Sequence, residues 1–209
     1  MYTRKVYQNG DYSLNYLIDY PDGFKESEKY PILFFFHGMG SARRGMDFLE
    51  TNCPLRRERI PSDLPFIIVV PSCDDFMWFE NTQNVIGFLK ECIDWDFVDQ
   101  TSVYLSGASM GGYFSWTLSV LHPELFAAAV ICCGGGPYWA AHRIKFPVIA
   151  VHGVEDNIVL PRESEIMVEK INEHGGNATL VLKQGRAHNV WTETFKNSDT
   201  YRWLIKHKL

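Results

Sequence analysis

At 209 residues the chain is long for a small domain and short for two, so one domain spanning 1–209 with one substantial core is expected. Its composition, 46% hydrophobic and 22% charged, is that of an ordinary globular protein, and a net charge of −5 argues against a general nucleic-acid binder. Five cysteines without a C-x-x-C pair argue against a disulfide framework. An N-terminus lacking an apolar h-region, with no run of membrane-spanning length, leads us to expect a cytoplasmic protein without a membrane partner.

Val6 to Asp19 reads as one or two antiparallel strands turning near Asn9-Gly10-Asp11. Pro31 to Phe36 is a continuous apolar run, as expected of a strand buried on both faces, and it ends at His37-Gly38-Met39-Gly40. A helix is expected from there to about Ile60. The arginines Arg43, Arg44, Arg56, Arg57 and Arg59 then read as a solvated helix face, with a docking patch for an acidic substrate as the alternative. Phe66 to Val70 is a second buried strand and Thr82 to Trp95 a helix; Val103 to Ser106 is a strand leading into Gly107-Ala108-Ser109-Met110-Gly111 and another helix. Strands follow at Ala127–Cys132, Pro147–His152 and Ala178–Leu182. A helix carrying Ile166, Val168 and Ile171 precedes the last of these, and a final helix runs from Trp191 to about Lys206. Strands alternating with helices predict an α/β fold with a doubly wound, mostly parallel sheet, in which chemistry gathers at the carboxyl ends of the strands.

The segment around Ser109 is G-x-S-x-G in the order strand, turn, helix, the context of a nucleophile on a sharp elbow. Glycines two residues either side relieve the crowding there, and the helix start favours a developing negative charge. A serine hydroxyl needs a base, and the base an orienting acid. Asp156 and its neighbour Glu155 follow the strand ending at His152-Gly153 and are both candidate acids. Of seven histidines, only His188 falls in a loop after a strand that also follows the acid; His37 and His152, each before a glycine at a strand end, read as braces for their loops.

With these residues in place, the chain resembles the α/β-hydrolase superfamily, and within it the compact carboxylesterase-like and prolyl-oligopeptidase-like serine hydrolases. The resemblance rests on G-A-S-M-G-G at Gly107 to Gly112, H-G-M-G at His37 to Gly40, and the loops of Asp156 and His188. The segment His152 to Val159 is similar to the acid-bearing loop H-G-x-x-D-x-x-V, which favours Asp156 over Glu155. The resemblance implies a Ser109–His188–Asp156 triad and an acyl-enzyme, with an oxyanion hole from the N–H groups of Met39 and Met110 supported by Gly38. It also implies a small-molecule ester substrate and no cofactor or metal. Dienelactone-hydrolase relatives carry cysteine as nucleophile; Ser109 stands here instead. Only Cys133 to Phe146 separates two strands between which many relatives insert a lid, so no lid domain is expected. The aromatics Phe76, Trp78, Tyr138, Trp139 and Trp191 fall at rim positions and together suggest faces for an acyl, aryl or sugar group, with core packing the alternative for any one of them, whereas Trp116 and Trp203 read as core. A peptidase acting on short peptides is the alternative activity. A binding protein on the same fold is disfavoured because all three triad residues are present.

Overall fold

The computed structural model describes residues 2–75 and 77–209. The hairpin forms as expected: β1 (Thr3–Asn9) and β2 (Tyr12–Asp19) pair antiparallel from Asn9 opposite Tyr12, with Gly10 at φ 59° in the turn. The other strands are β3 (Tyr30–Phe36), β4 (Ile67–Pro71), β5 (Val98–Ala108), β6 (Ala128–Cys132), β7 (Val148–Gly153) and β8 (Ala178–Lys183). Among the described residues they form one eight-stranded sheet in the order β1-β2-β4-β3-β5-β6-β7-β8, parallel from β4 onward. β3, β4 and β6 are buried along their whole length, which is why they read as unbroken apolar runs.

One face of the sheet is covered by α2 (Thr82–Ile93), α3 (Met110–Leu121) and α4 (Arg162–Glu173), through side chains such as Phe88, Phe114 and Ile171. The opposite face carries α1 (Gly45–Asn52), the short α5 (Trp191–Thr194) and α6 (Ser198–Leu204), through Leu49, Tyr201 and Leu204. The segment joining β6 to β7 holds the 3-10 turn Tyr138–Arg143. Among the described residues, no helix is long and apolar enough to cross a membrane.

Three expectations change. The helix expected to reach Ile60 stops at Asn52, because Pro54 drives Cys53 into an extended conformation (φ −59°, ψ 130°). The arginines beyond it are therefore not a solvated helix face. Arg57 binds Asp19 Oδ2 at 3.0 Å and the Phe66 carbonyl at 2.6 Å, Arg59 the Pro54 carbonyl at 2.8 Å, and Arg56 the Thr51 carbonyl. These three guanidinium groups bond to chain oxygens. Likewise the C-terminal helix is two pieces, broken where the Asn197 side chain accepts the Asp199 N–H at 3.0 Å and starts a new helix. Finally, β5 begins at Val98, five residues before its apolar run, because the polar stretch Asp99–Thr101 at its start carries no hydrophobic signal.

Candidate active site

β5 ends at Ala108 and α3 begins at Met110, so Ser109 alone makes the bend, at φ 56° and ψ −122°. A positive φ is costly for a residue with a Cβ and persists only where its surroundings hold it. Here the Ser109 N–H donates to the Cys132 carbonyl at 3.0 Å, and its own carbonyl accepts the Tyr113 N–H at 2.9 Å. The bend drives the first turn of α3 against the end of β3. A Cβ on Gly111 would lie 1.9 Å from the Phe36 carbonyl oxygen, so the last glycine of G-x-S-x-G has no room for a side chain.

Two distant parts of the chain converge on this bend. His188 Nε2 lies 2.8 Å from Ser109 Oγ, and His188 Nδ1 lies 2.7 Å from Asp156 Oδ2. Asp156 Oδ1 accepts the backbone N–H groups of Ile158 (2.9 Å) and Val159 (3.0 Å). The two carboxylate oxygens thus play separate roles, one held by its own loop and the other meeting the imidazole. With the Nδ1–H donated to the carboxylate, the Nε2 lone pair faces the serine hydroxyl, which is the arrangement needed to take its proton. Burial works to raise the Asp156 carboxyl. The hydrogen bonds from His188, Val159 and Ile158 more than offset this, and the acid is held below its ordinary range. Glu155, the competing acid, is exposed to solvent. His188 reaches Ser109 because its loop crosses directly over the end of β7: a Cβ on Gly153 would lie 2.1 Å from the Ala187 carbonyl oxygen.

Met110 is the first residue of α3 and Met39 the first of the 3-10 turn Met39–Ser41, so neither N–H has a partner within its own helix. Gly38 lies against the elbow, where a Cβ would sit 3.1 Å from Ser109 Cβ. A cavity of about 200 Å³ opens here, lined by Ser109, His188, Gly38 and Met39 and walled by Leu49 and Trp191. Trp191 also stands edge-on to the His188 ring, with centroids 5.3 Å apart.

The other aromatics expected at the rim divide. Trp78 is not at the rim: only 2% of its surface is exposed, it stacks on Phe114, and its Nε1–H donates to the His37 carbonyl at 2.9 Å. An indole too large and apolar to remain in solvent is drawn under the loop, and it holds that loop from behind. Trp139 and Tyr138 are exposed, pack on one another, and do not line the cavity beside Ser109. Phe76 lies outside the described residues.

His37 braces its loop, as expected. Its Nε2 accepts the Cys73 N–H at 3.0 Å, which leaves the Nδ1–H to donate to the Gly38 carbonyl at 2.9 Å. Burial pulls its pKa down to about 4. Because this value is depressed, the unfolded chain binds the extra proton first. The contribution is fully present above the unfolded pKa near ~6.5 and is lost as pH falls toward the folded value. A loss on the order of 3 kcal/mol between about pH 6.5 and pH 4 is expected from this residue. Urea midpoints across that range should show it, and a His37→Gln variant should show a flatter decline.

One contact near the triad had no sequence signal. Cys133, at φ 48°, is buried and donates its thiol to the His188 carbonyl at 2.9 Å, so it helps to seat the base's loop. Burial pushes its thiol up to about 12, consistent with a packed donor rather than a thiolate.

Comparison with known proteins agrees with this geometry. Residues 81–201, more than half of the chain and including the serine, acid and base, match the Dienelactone hydrolase family. Among curated proteins, the chain is 24% identical over 163 residues to the protein named Probable feruloyl esterase C of Aspergillus terreus, covering 69% of this chain and 60% of that one. The chain spans about three fifths of the length of such feruloyl esterase relatives. Among solved structures, a thermostable esterase superposes over 100% of this chain and 63% of its own, with a TM-score of 0.85 and 25% identity. Est1E from Butyrivibrio proteoclasticus shares the fold over 97% of this chain and 98% of its own, with a TM-score of 0.74 and 15% identity. The family match over more than half of the chain, on this strand order, places the chain in the Dienelactone hydrolase family, on an α/β-hydrolase fold.

Proposed function

We propose that the protein is a serine hydrolase that cleaves carboxylic esters through an acyl-enzyme. The observation that carries this reading is the continuous line from Ser109 Oγ to His188 Nε2 (2.8 Å) and from His188 Nδ1 to Asp156 Oδ2 (2.7 Å), anchored on a serine at positive φ. His188 takes the Ser109 proton as Oγ bonds to the ester carbonyl carbon, and the carbonyl π electrons move to its oxygen. That oxyanion faces the N–H groups of Met39 and Met110, donors of a kind worth about 3–4 kcal/mol each to such an intermediate. Asp156 keeps the imidazole oriented and stabilises its charged form. The tetrahedral centre then collapses, the bond to the alkoxy oxygen breaks, and His188 protonates the departing alcohol. Water enters by the same steps in reverse order, with His188 as base, and releases the acid.

The acyl group of the substrate would sit against Leu49, Trp191 and the other walls of the cavity beside Ser109. An aromatic acyl group is favoured by the likeness to a relative named as a feruloyl esterase and by the aromatic face of Trp191. A fluorophosphonate probe tests the assignment directly. It should modify the folded protein at Ser109 alone, as located by peptide mapping, and an ester panel should rank methyl hydroxycinnamates above alkyl esters of equal size. Folded protein that takes no label would reject the hydrolase reading; label without aryl preference would reject only the acyl assignment.

A further inference from the structure

We propose that His152 is a second histidine of the acid, a positioning residue that holds Asp156 for His188; the inference rests on the triad reading above. His152 is fully buried at the end of β7, four residues before Asp156. Its Nε2 lies 2.9 Å from the Val159 carbonyl oxygen and 3.2 Å from Asp156 Oδ2. Both neighbours are acceptors, so Nε2 carries a proton; it donates to the Val159 carbonyl, and Asp156 Oδ2 lies close beside it. Its Nδ1 lies 2.7 Å from Ser164 Oγ on α4, and Ser164 Oγ lies 2.9 Å from the Gly134 carbonyl. Ser164 Oγ donates to that carbonyl, which also accepts the Trp116 Nε1–H at 3.2 Å, so the hydroxyl that meets His152 Nδ1 is held by the β6–β7 connection.

The consequence concerns one atom. Asp156 Oδ2, the oxygen that meets His188, also faces a second N–H fixed from behind by a helix and a strand. With Oδ1 held by Ile158 and Val159, Oδ2 bonded to His188 Nδ1 and the charged oxygen 3.2 Å from the His152 N–H, the carboxylate is left one orientation. Helix α4 and the β6–β7 connection thereby reach the proton relay through Ser164 and His152.

Two replacements separate the roles of the two ring nitrogens. Asparagine can reach the position of Nδ1 and keep Ser164, but it removes the N–H that binds Val159 and lies beside Asp156 Oδ2. Glutamine can place its amide N–H where Nε2 was. In His152→Asn, kcat for an ester should fall about 10–100-fold, the range for losing a hydrogen bond to a charged group, with KM within about twofold. His152→Gln should recover most of the loss, to within about fivefold of the unaltered protein. The acid limb of kcat/KM, which reports the free base, should move up by about half a unit in His152→Asn, because Asp156 with one donor fewer holds a proton on His188 more tightly. Other titratable groups acting on that carboxylate are the Cys133 thiol and the Tyr113 hydroxyl of α3, itself beside Glu163 of α4; burial pushes both up to about 12, so they stay neutral across the profile.

Equal losses in His152→Asn and His152→Gln, or an acid limb that stays in place, would overturn the proposal. Should His152→Asn not fold, Ser164→Ala carries the test: it releases the ring, and kcat should fall several-fold with the same upward movement of the limb. An unchanged rate and limb in that variant overturns it equally. Fluorophosphonate labelling of Ser109 in the unaltered protein keeps the outcomes apart, since labelled protein with no His152 contrast fails this inference and leaves the triad standing.

Discussion

Replacing Ser109 by Ala should leave a folded protein whose kcat on a short p-nitrophenyl ester is reduced about 10⁴-fold or more, a loss of at least about 5 kcal/mol of transition-state stabilisation. The bend itself does not require the hydroxyl. Its strain is held by the Ser109 N–H bond to Cys132 and by the packing of Gly111 on Phe36, and alanine preserves both. What disappears is the atom that bonds to the carbonyl carbon. The oxyanion donors and the cavity remain, so binding should survive and KM should change far less than kcat. Circular dichroism of the variant beside its turnover decides the matter. Hydrolysis within tenfold of the unaltered protein, from a fully folded variant, would remove Ser109 from the reaction.

Asp156→Asn should be nearly as damaging, at about 10⁴-fold in kcat, for a reason that the hydrogen bonds make specific. Oδ1 accepts two backbone N–H groups, from Ile158 and Val159, so the amide oxygen of asparagine must take that place. Its NH₂ is then directed at His188 Nδ1 and toward His152 Nε2, where acceptors are required. His188 can answer only by exposing the Nδ1 lone pair and moving its proton to Nε2. In that tautomer it offers an N–H to Ser109 Oγ and cannot act as its base. The folded state also loses a carboxylate held below its ordinary range. That stabilisation is present above the unfolded pKa of about 3.9 and fades as pH falls through the lower folded value, so the cost to stability should be visible at neutral pH and vanish in acid. Steady-state kinetics with urea midpoints at two pH values measures both effects. Activity within tenfold of the unaltered protein would show that the flipped amide is tolerated and that the acid lies elsewhere.

Both predictions concern residues that can be named from the sequence. Ser109 is legible because a sharp bend imposes a local pattern, with small residues at fixed offsets between an apolar strand and a helix. His188 is legible because only one histidine lies in the loop directly after a strand that itself follows Asp156. The acid is less secure. Asp156 and Glu155 are adjacent and chemically equivalent in sequence, and only resemblance separates them; in space one is buried against His188 and the other faces water. Trp78 shows the opposite outcome. Its place after β4 suggests the rim, and nothing local indicates that the indole turns inward to reach the His37 carbonyl, 41 residues earlier.

Sequence by itself determined the strand succession, the bend at Ser109 and the chain order of Ser109, Asp156 and His188. These follow from backbone sterics and from hydrophobic periodicity, which act over a few residues and leave their mark in composition. Tertiary structure decided which polar groups meet. The Cys133 thiol on the His188 carbonyl, His152 behind Asp156 and the arginines folded back onto chain carbonyls join residues from separate turns and strands. Each such contact depends on where a buried donor finds an acceptor once water is gone, and that requirement is met through space rather than along the chain.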